Sequence, residues 1–397
     1  MPDTPPLDPR RGGVLTTLLK SRRLAWVLAR IGIGIAHWWG RPFRLGKTII
    51  VVRHRDVADI LARDLDYLIA PVNGPRFVEL GFPFILGMDR ADVLVRERAI
   101  LYRALAGVDF EPMRAAAASD VRQRLADHPA EIDVIGDLAR PVAAATAGRL
   151  VGLALPPTDL MALSRPLFEH AFLNPGNDPA VAAKARAAAA RLSDALGTAI
   201  ATRRALVDPG DDFLGNLLRA GADDDLTRRT LAGMFVGSID TTATVTAKSL
   251  WVITSRPDWL TAATHDIDNP ERLYGWCCEA LRRWTHVPVL TRRASGESLI
   301  AGTRIDDGAN VVMWIQAAMA DASAFDNPGA MRPDRPQRAY LHLGGGLHPC
   351  AGRAITAWQV PLLVGGVLGR DVNAIDRIVW SGPFPDAMRV RLGVAHA

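Results

Sequence analysis

Between about Arg55 and Arg283 one pattern keeps returning. In "VLVRERAILYRAL", "EIDVIGDLARPVAAATAGRLVGL", "DDFLGNLLRA" and "TRRTLAGMFVGSIDTTATVTAKSLWVI", apolar residues recur three and four apart. That spacing puts them on one face of an α-helix and requires the face to be buried. The alanine-rich stretch from Ala180 to Ala205 is high-propensity helix and not a repeat. The two ends differ. "FRLGKTIIVVRHRDVADILARD" predicts two short strands around Gly46 and Lys47, then a helix from about Arg55. After about Val287, short apolar runs broken by turn residues, as in "VLTRRASGESLIAGTRIDDGANVVMW", predict a strand-rich region. The expected class is mainly α with small β-sheets (α+β). Residues 1–40 read as an N-terminal extension, partly disordered and then helical, and residues 41–397 as a single domain, because no linker composition divides them.

Composition excludes several classes. Hydrophobic residues make up 49% of the 397 and charged ones 22%, too apolar for a disordered chain and ample for a sizeable core. Three cysteines, with Cys277 and Cys278 adjacent, make no disulfide framework and point to a reducing, cytoplasmic setting. The net charge of +5 comes from arginines spread along the chain, with no nucleic-acid-binding motif, so an acidic protein partner is expected and nucleic acid is not. In "LTTLLKSRRLAWVLARIGIGIAHWW" the apolar runs are broken by Lys20, Arg22, Arg23 and Arg30. No run of about 20 apolar residues results, nor a signal-peptide cleavage site, so this segment is expected to form an amphipathic helix and membrane attachment is not expected.

The third cysteine has unusual surroundings. "HLGGGLHPCAG" (His342 to Gly352) holds four glycines in eleven residues, which makes it a shaped loop and not a helix or strand. "AGRAITAWQVPLLVGGVL" behind it reads as a helix, so Cys350 lies near a helix N-terminus, where a thiolate is stabilised and its pKa lowered. Alone, Cys350 is a nucleophile, a metal ligand or an inert buried side chain. A zinc site would need further ligands at close spacing and a nucleophile a base with an orienting partner; His348 is near, but no CxxC pair occurs. A single thiolate suits one further role, the axial ligand of a haem iron.

With these residues the chain resembles the cytochrome P-450 family, the haem-thiolate monooxygenases of the bacterial soluble type. The family's cysteine loop has an aromatic residue and then Gly, any, Gly, any, His, any, Cys, any, Gly. Here Leu343 replaces the aromatic, and Gly344, Gly346, His348, Cys350 and Gly352 follow in register. Three further matches occur in the family's order. "EALR" places Glu279 and Arg282 three apart, with Arg335 in "FDNPGAMRPDRPQRAYLHLG", which by resemblance implies a structural ion-pair network holding the loop. "VGSIDTTATV" supplies an acid and a threonine, Asp240 and Thr241, expected to serve catalysis on a long central helix, with Gly237 and Ser238 leaving room beside them. Arg292, two residues before Ala294, is expected at a haem propionate, Arg293 being the fallback; His348 is the second propionate candidate.

The likeness runs loosely from about Leu45 to the C-terminus and departs in two places. In "ILGMDRADVLVRERAILYRAL" the family's histidine is absent: Leu94 stands there, and Arg98 is the substitute propionate contact. Leu343 removes a shield beside the thiolate, which is expected to shift the iron's potential. The resemblance implies a cytochrome P-450 fold with haem b between the central helix and the cysteine-loop helix. Glycines Gly344, Gly346 and Gly352 would let the backbone pass close to the macrocycle. It also implies oxidation of a lipophilic small molecule by dioxygen, with electrons from a ferredoxin and ferredoxin reductase. Phe235, Gly237, Val289 and Phe384 are expected in the substrate pocket. The alternatives are a peroxide-using peroxygenase, against which Asp240 and Thr241 argue, and a non-catalytic haem-binding protein.

Overall fold

The computed structural model describes residues 40–395. The basic amphipathic segment expected within residues 1–40 lies outside them, apart from Gly40. The chain begins with a hairpin of β1 (Phe43–Leu45) and β2 (Thr48–Val51), turning through Gly46 at φ +57. Then come α1 (His54–Ala62), β3 (Tyr67–Leu68), α2 (Ala70–Glu79), α3 (Asp92–Ala106) and α4 (Glu111–Asp127). After β4 (Glu131–Asp133) run α5 (Arg140–Val151), α6 (Pro157–Leu173), α7 (Pro179–Arg204), α8 (Phe213–Arg219), α9 (Asp224–Val236), α10 (Ile239–Thr254), α11 (Pro257–His265) and α12 (Pro270–Arg283). The last part holds β5 (Leu290–Ala294), β6 (Ser298–Ile300), β7 (Thr303–Ile305), β8 (Asn310–Met313), α13 (Ile315–Ala318) and α14 (Arg353–Leu368). It closes with β9 (Arg370–Ile375), β10 (Val379–Ser381), β11 (Phe384–Ala387) and β12 (Arg389–Ala395).

Strands from residues 43–68 and from residues 290–313 share one sheet. Its order is β1-β2-β8-β5-β3, with β2 parallel to β8 and the other neighbours antiparallel. A helix-rich core, in which α10 packs against α5, α12 and α14, forms the larger layer. That position explains why α10 buries every residue except Thr241, Trp251 and Thr254.

Two readings of helix limits need correction. "EIDVIGDLAR" opens as a strand: β4 pairs with Arg389–Arg391 of β12, and Asp133 ends it by accepting from the Ile135 amide before a wide helical turn over Val134–Ala139. A partner more than 250 residues away leaves no trace in local periodicity. The long central helix is also two helices, α9 and α10, interrupted at Gly237 and Ser238. By contrast α7 starts one residue before the expected alanine-rich segment and ends one before its close, because Asp178 caps it by accepting from the amides of Ala180 and Val181.

Candidate active site

The loop before α14 is drawn tight by its own backbone. The Cys350 amide donates to the Leu343 carbonyl at 2.8 Å and the Gly344 amide to Leu341 at 2.9 Å. Gly344 and Gly346 have φ of +69 and +62, and a Cβ on Gly346 would stand 1.7 Å from the Leu61 carbonyl at the end of α1. Only glycine permits that approach. Gly352 is the residue from which α14 starts.

The expectation of a lowered Cys350 pKa is overturned in the chain alone. Burial pushes the thiol up, and the backbone amide of Gly352 and the charge of Arg353 oppose it only in part. Cys350 nevertheless remains half-buried, not sealed. No hydrogen-bonded base attends it among the described residues, and no group of three metal-ligating side chains exists among them.

Near the cysteine loop lie two nitrogen-bearing groups that make no ion pair, although the charge of Asp89 reaches both and that of Asp64 reaches His348. Arg292 on β5 is only 7% exposed, and its one hydrogen bond runs from Nη1 to the Thr291 carbonyl at 2.8 Å. Burial brings its guanidinium down to about 10. His348 has a buried Nδ1 with no partner, and burial together with the charge of Arg292 brings its imidazole down to about 4. A buried cation and an orphaned imidazole at one edge call for a carboxylate. Haem b fits this set: Cys350 would hold the iron, and Arg292 and His348 would meet the propionates.

Arg98 on α3 is engaged with the cysteine loop, and its charge also reaches His348. Its Nε donates to the Leu347 carbonyl at 3.1 Å and its guanidinium lies over the Tyr102 ring, whose hydroxyl reaches the Pro349 carbonyl at 3.5 Å. Arg98 thus braces the cysteine loop, beside a surface cleft of about 510 Å³ shared with Asp64, Arg90 and Leu347. Leu94, where the family's histidine would stand, is fully buried.

At the break between α9 and α10, Gly237 is exposed and Thr241 half-buried, although α10 is otherwise interior. The Thr241 hydroxyl donates to the Gly237 carbonyl across the break. Asp240 points the other way, into a clasp. Its Oδ1 meets Arg140 Nε at 3.1 Å and Arg165 at 3.0 Å, while its buried Oδ2 has no partner. Arg165 also reaches the half-exposed Asp386 at 3.2 Å and lies over the Phe384 ring. Burial lowers the pKa of Arg140. Sequence reasoning missed both arginines. The available signal was that each stands immediately before a proline in an apolar helical stretch, "ARPVAAA" and "SRPLF".

Glu279, Arg282 and Arg335 are brought together. Arg282 forks onto both Glu279 oxygens at 2.8 and 3.0 Å and donates onward to the carbonyls of Met319, Pro328 and Ala330. Arg335 Nε stands 3.4 Å from Glu279 Oε1, close enough for an ionic contact but not aligned as a hydrogen bond. Tyr340, just ahead of the cysteine loop, donates its hydroxyl to Glu279 at 3.0 Å, a partner the sequence reading lacked.

The expected pocket residues divide. Gly237 and Val289 are exposed, Phe384 packs against Phe168 with ring centres 6.1 Å apart, and Phe235 has no exposed surface and belongs to the core. Phe235 is therefore corrected from pocket wall to packing residue. It lies in the last turn of α9 between the buried Met234 and Val236.

Comparison with known proteins places this arrangement. The family model described as "Cytochrome P450" matches residues 273–370, which include Glu279, Arg282, Arg292, Arg335 and Cys350. The chain is 26% identical over 317 residues to the steroid C26-monooxygenase of Mycolicibacterium smegmatis, covering 76% of each protein. It is 26% identical over 245 residues to cytochrome P450 109 of Bacillus spizizenii, covering 60% of this chain but 59%, less than two thirds, of that protein. The crystal structure of CalO2 superposes with a TM-score of 0.77 at 20% identity, covering 91% of this chain and 96% of that one, which speaks for the fold alone. With its cysteine loop and ion-pair network, the chain is thus similar to the cytochrome P450 monooxygenases in sequence over residues 273–370 and along its matched relatives, and it shares the fold of the solved P450 structures.

Proposed function

We propose that this chain is a haem-thiolate monooxygenase that places one oxygen atom of dioxygen into a lipophilic small molecule, with electrons from an external ferredoxin and its reductase. The observation that carries the reading is one half-buried thiol, Cys350, in the same loop as His348, whose buried Nδ1 has no partner, with the buried, ion-pair-free guanidinium of Arg292 close enough to act on that imidazole. Bound there, haem supplies the reductive activation of dioxygen. The residues supply position, dryness and protons. Arg292 and His348 would hold the cofactor's carboxylates, and the glycine loop would present the Cys350 thiolate to its iron. Thr241 holds its proton on the Gly237 carbonyl, from which the hydroxyl can turn toward the reacting oxygen. Asp240, held by Arg140 and Arg165 on one oxygen, keeps the other free to pass protons inward from the surface side marked by Asp386. No flavin or nicotinamide motif is read in these 397 residues, which supports an electron source outside them. The basic balance of the chain, and Arg98 in the cleft against the cysteine loop where Arg90 is paired with Asp64, support an acidic ferredoxin as the partner. Apolar lining from Val289 and Phe384, and a relative named for a steroid, support the lipophilic class.

The test is the spectrum of the reduced, carbon monoxide-treated protein. A red-shifted Soret band that disappears in Cys350→Ala is the expected result. Its absence, or its survival in the variant, overturns the reading. Dioxygen consumption with reduced ferredoxin separates turnover from mere haem binding.

A further inference from the structure

One part of the interior contains buried nitrogens without partners. The segment joining α12 to β5 holds His286, whose Nδ1 and Nε2 are both buried and both without a partner. Its ring lies 6.5 Å from that of Phe168 on α6, tilted by 33°. Phe168 in turn packs on Phe172 and on Phe384 of β11, so the imidazole continues an aromatic wall. The next three residues, Val287, Pro288 and Val289, are exposed, and Arg292 follows at the cofactor edge.

Behind His286 stands a buried cation. Lys248, two turns beyond Thr241 on α10, donates from Nζ to the carbonyl of Thr285, the residue before His286, at 2.7 Å. It is flanked by Trp284 and Trp380, at 4.8 and 5.8 Å from the ring centres, and pairs with no carboxylate among the described residues. The indole Nε1 of Trp380 is likewise buried and unpartnered. Burial brings Lys248 down to about 7 and, with the lysine charge, His286 down to about 3, so the imidazole is neutral and offers one N–H. The imidazole and the indole each lie near the Lys248 ammonium, both carry buried nitrogens without a partner, and the ammonium makes one hydrogen bond, to Thr285. Leaving such groups unsatisfied costs stability, and a structural core would have replaced them with apolar side chains. An apolar pocket with a few convergent polar groups is how small-molecule sites fix orientation.

We propose that His286, backed by Lys248, is the polar anchor of the substrate pocket, and that the substrate carries an oxygen acceptor, a carboxylate or a carbonyl, at the end that docks there. The inference rests on the monooxygenase reading and narrows its substrate from lipophilic to lipophilic with one oxygenated end. His286 determines specificity; the reacting carbon lies elsewhere, toward Thr241.

Calorimetric titration of the haem-loaded protein with decanoic acid, methyl decanoate and decane in one cosolvent tests it. The expected result is that the acid or the ester binds about tenfold or more tightly than decane, the worth of one buried hydrogen bond. His286→Phe keeps the ring on Phe168 and removes both nitrogens, so the preference should fall to within about twofold while decane is unaffected. His286→Leu makes the same comparison should the phenylalanine variant fold poorly. An acid preference without an ester preference identifies a carboxylate, and equal preferences a carbonyl. Equal binding of all three probes, no binding by either oxygenated probe, or a preference that survives in both variants overturns the proposal. Because binding is read without turnover, this failure is distinct from failure of the carbon monoxide spectrum.

Discussion

Thr241 is the single position on the first half of α10 that is not buried, and its hydroxyl is already engaged with the backbone of the α9–α10 break. A side chain that only capped that break could be replaced at small cost. If the hydroxyl also directs protons, Thr241→Ala retains haem and still consumes electrons, but product per electron falls several-fold and hydrogen peroxide rises. Unchanged product yield would assign Thr241 to the backbone alone. Asp240 differs in kind: two arginines hold one of its oxygens, so it is positioned by its neighbours and not by its own helix.

The cysteine loop is the element with the least freedom. Gly346 combines positive φ with a backbone carbonyl where a Cβ would be. Gly346→Ala should therefore lower stability by more than about 2 kcal/mol and reduce the haem-to-protein ratio, since the loop must lift from α1 to accept a methyl group. Gly296→Ala is the control, because nothing lies within 4 Å of the added methyl. Equal melting temperatures and haem content for the two variants would show that the loop and α1 adjust freely. Arg98 and Tyr102 support the same loop from α3, so the loop is held from two helices at once.

Across the whole molecule, the buried Glu279–Arg282 pair joins α12 to the long segment before the cysteine loop through three carbonyls, Tyr340 and the Arg332 amide. Removing one partner of a buried pair leaves an uncompensated charge. Glu279→Ala should thus cost on the order of 3–5 kcal/mol in urea unfolding of the haem-loaded protein. A loss under about 1 kcal/mol would mean that the carbonyl bonds of Arg282 suffice without its carboxylate. No helix among the described residues is long and apolar enough to cross a membrane.

By itself the sequence determined the helical body, the strand-bearing ends, the cysteine loop and the spacing of Glu279 and Arg282, because periodicity, glycine content and motif order are local properties of the chain. Only the tertiary structure decided that β4 is a strand, that the central helix breaks at Gly237, that Phe235 is core, and that burial raises the Cys350 thiol. The same holds for the clasp of Arg140 and Arg165 on Asp240 and for the unpartnered nitrogens of His286 and Trp380 near Lys248. The physical reason is common to all of them. Strand pairing, desolvation and hydrogen-bond satisfaction depend on which distant residues meet, and no short window of sequence contains both partners.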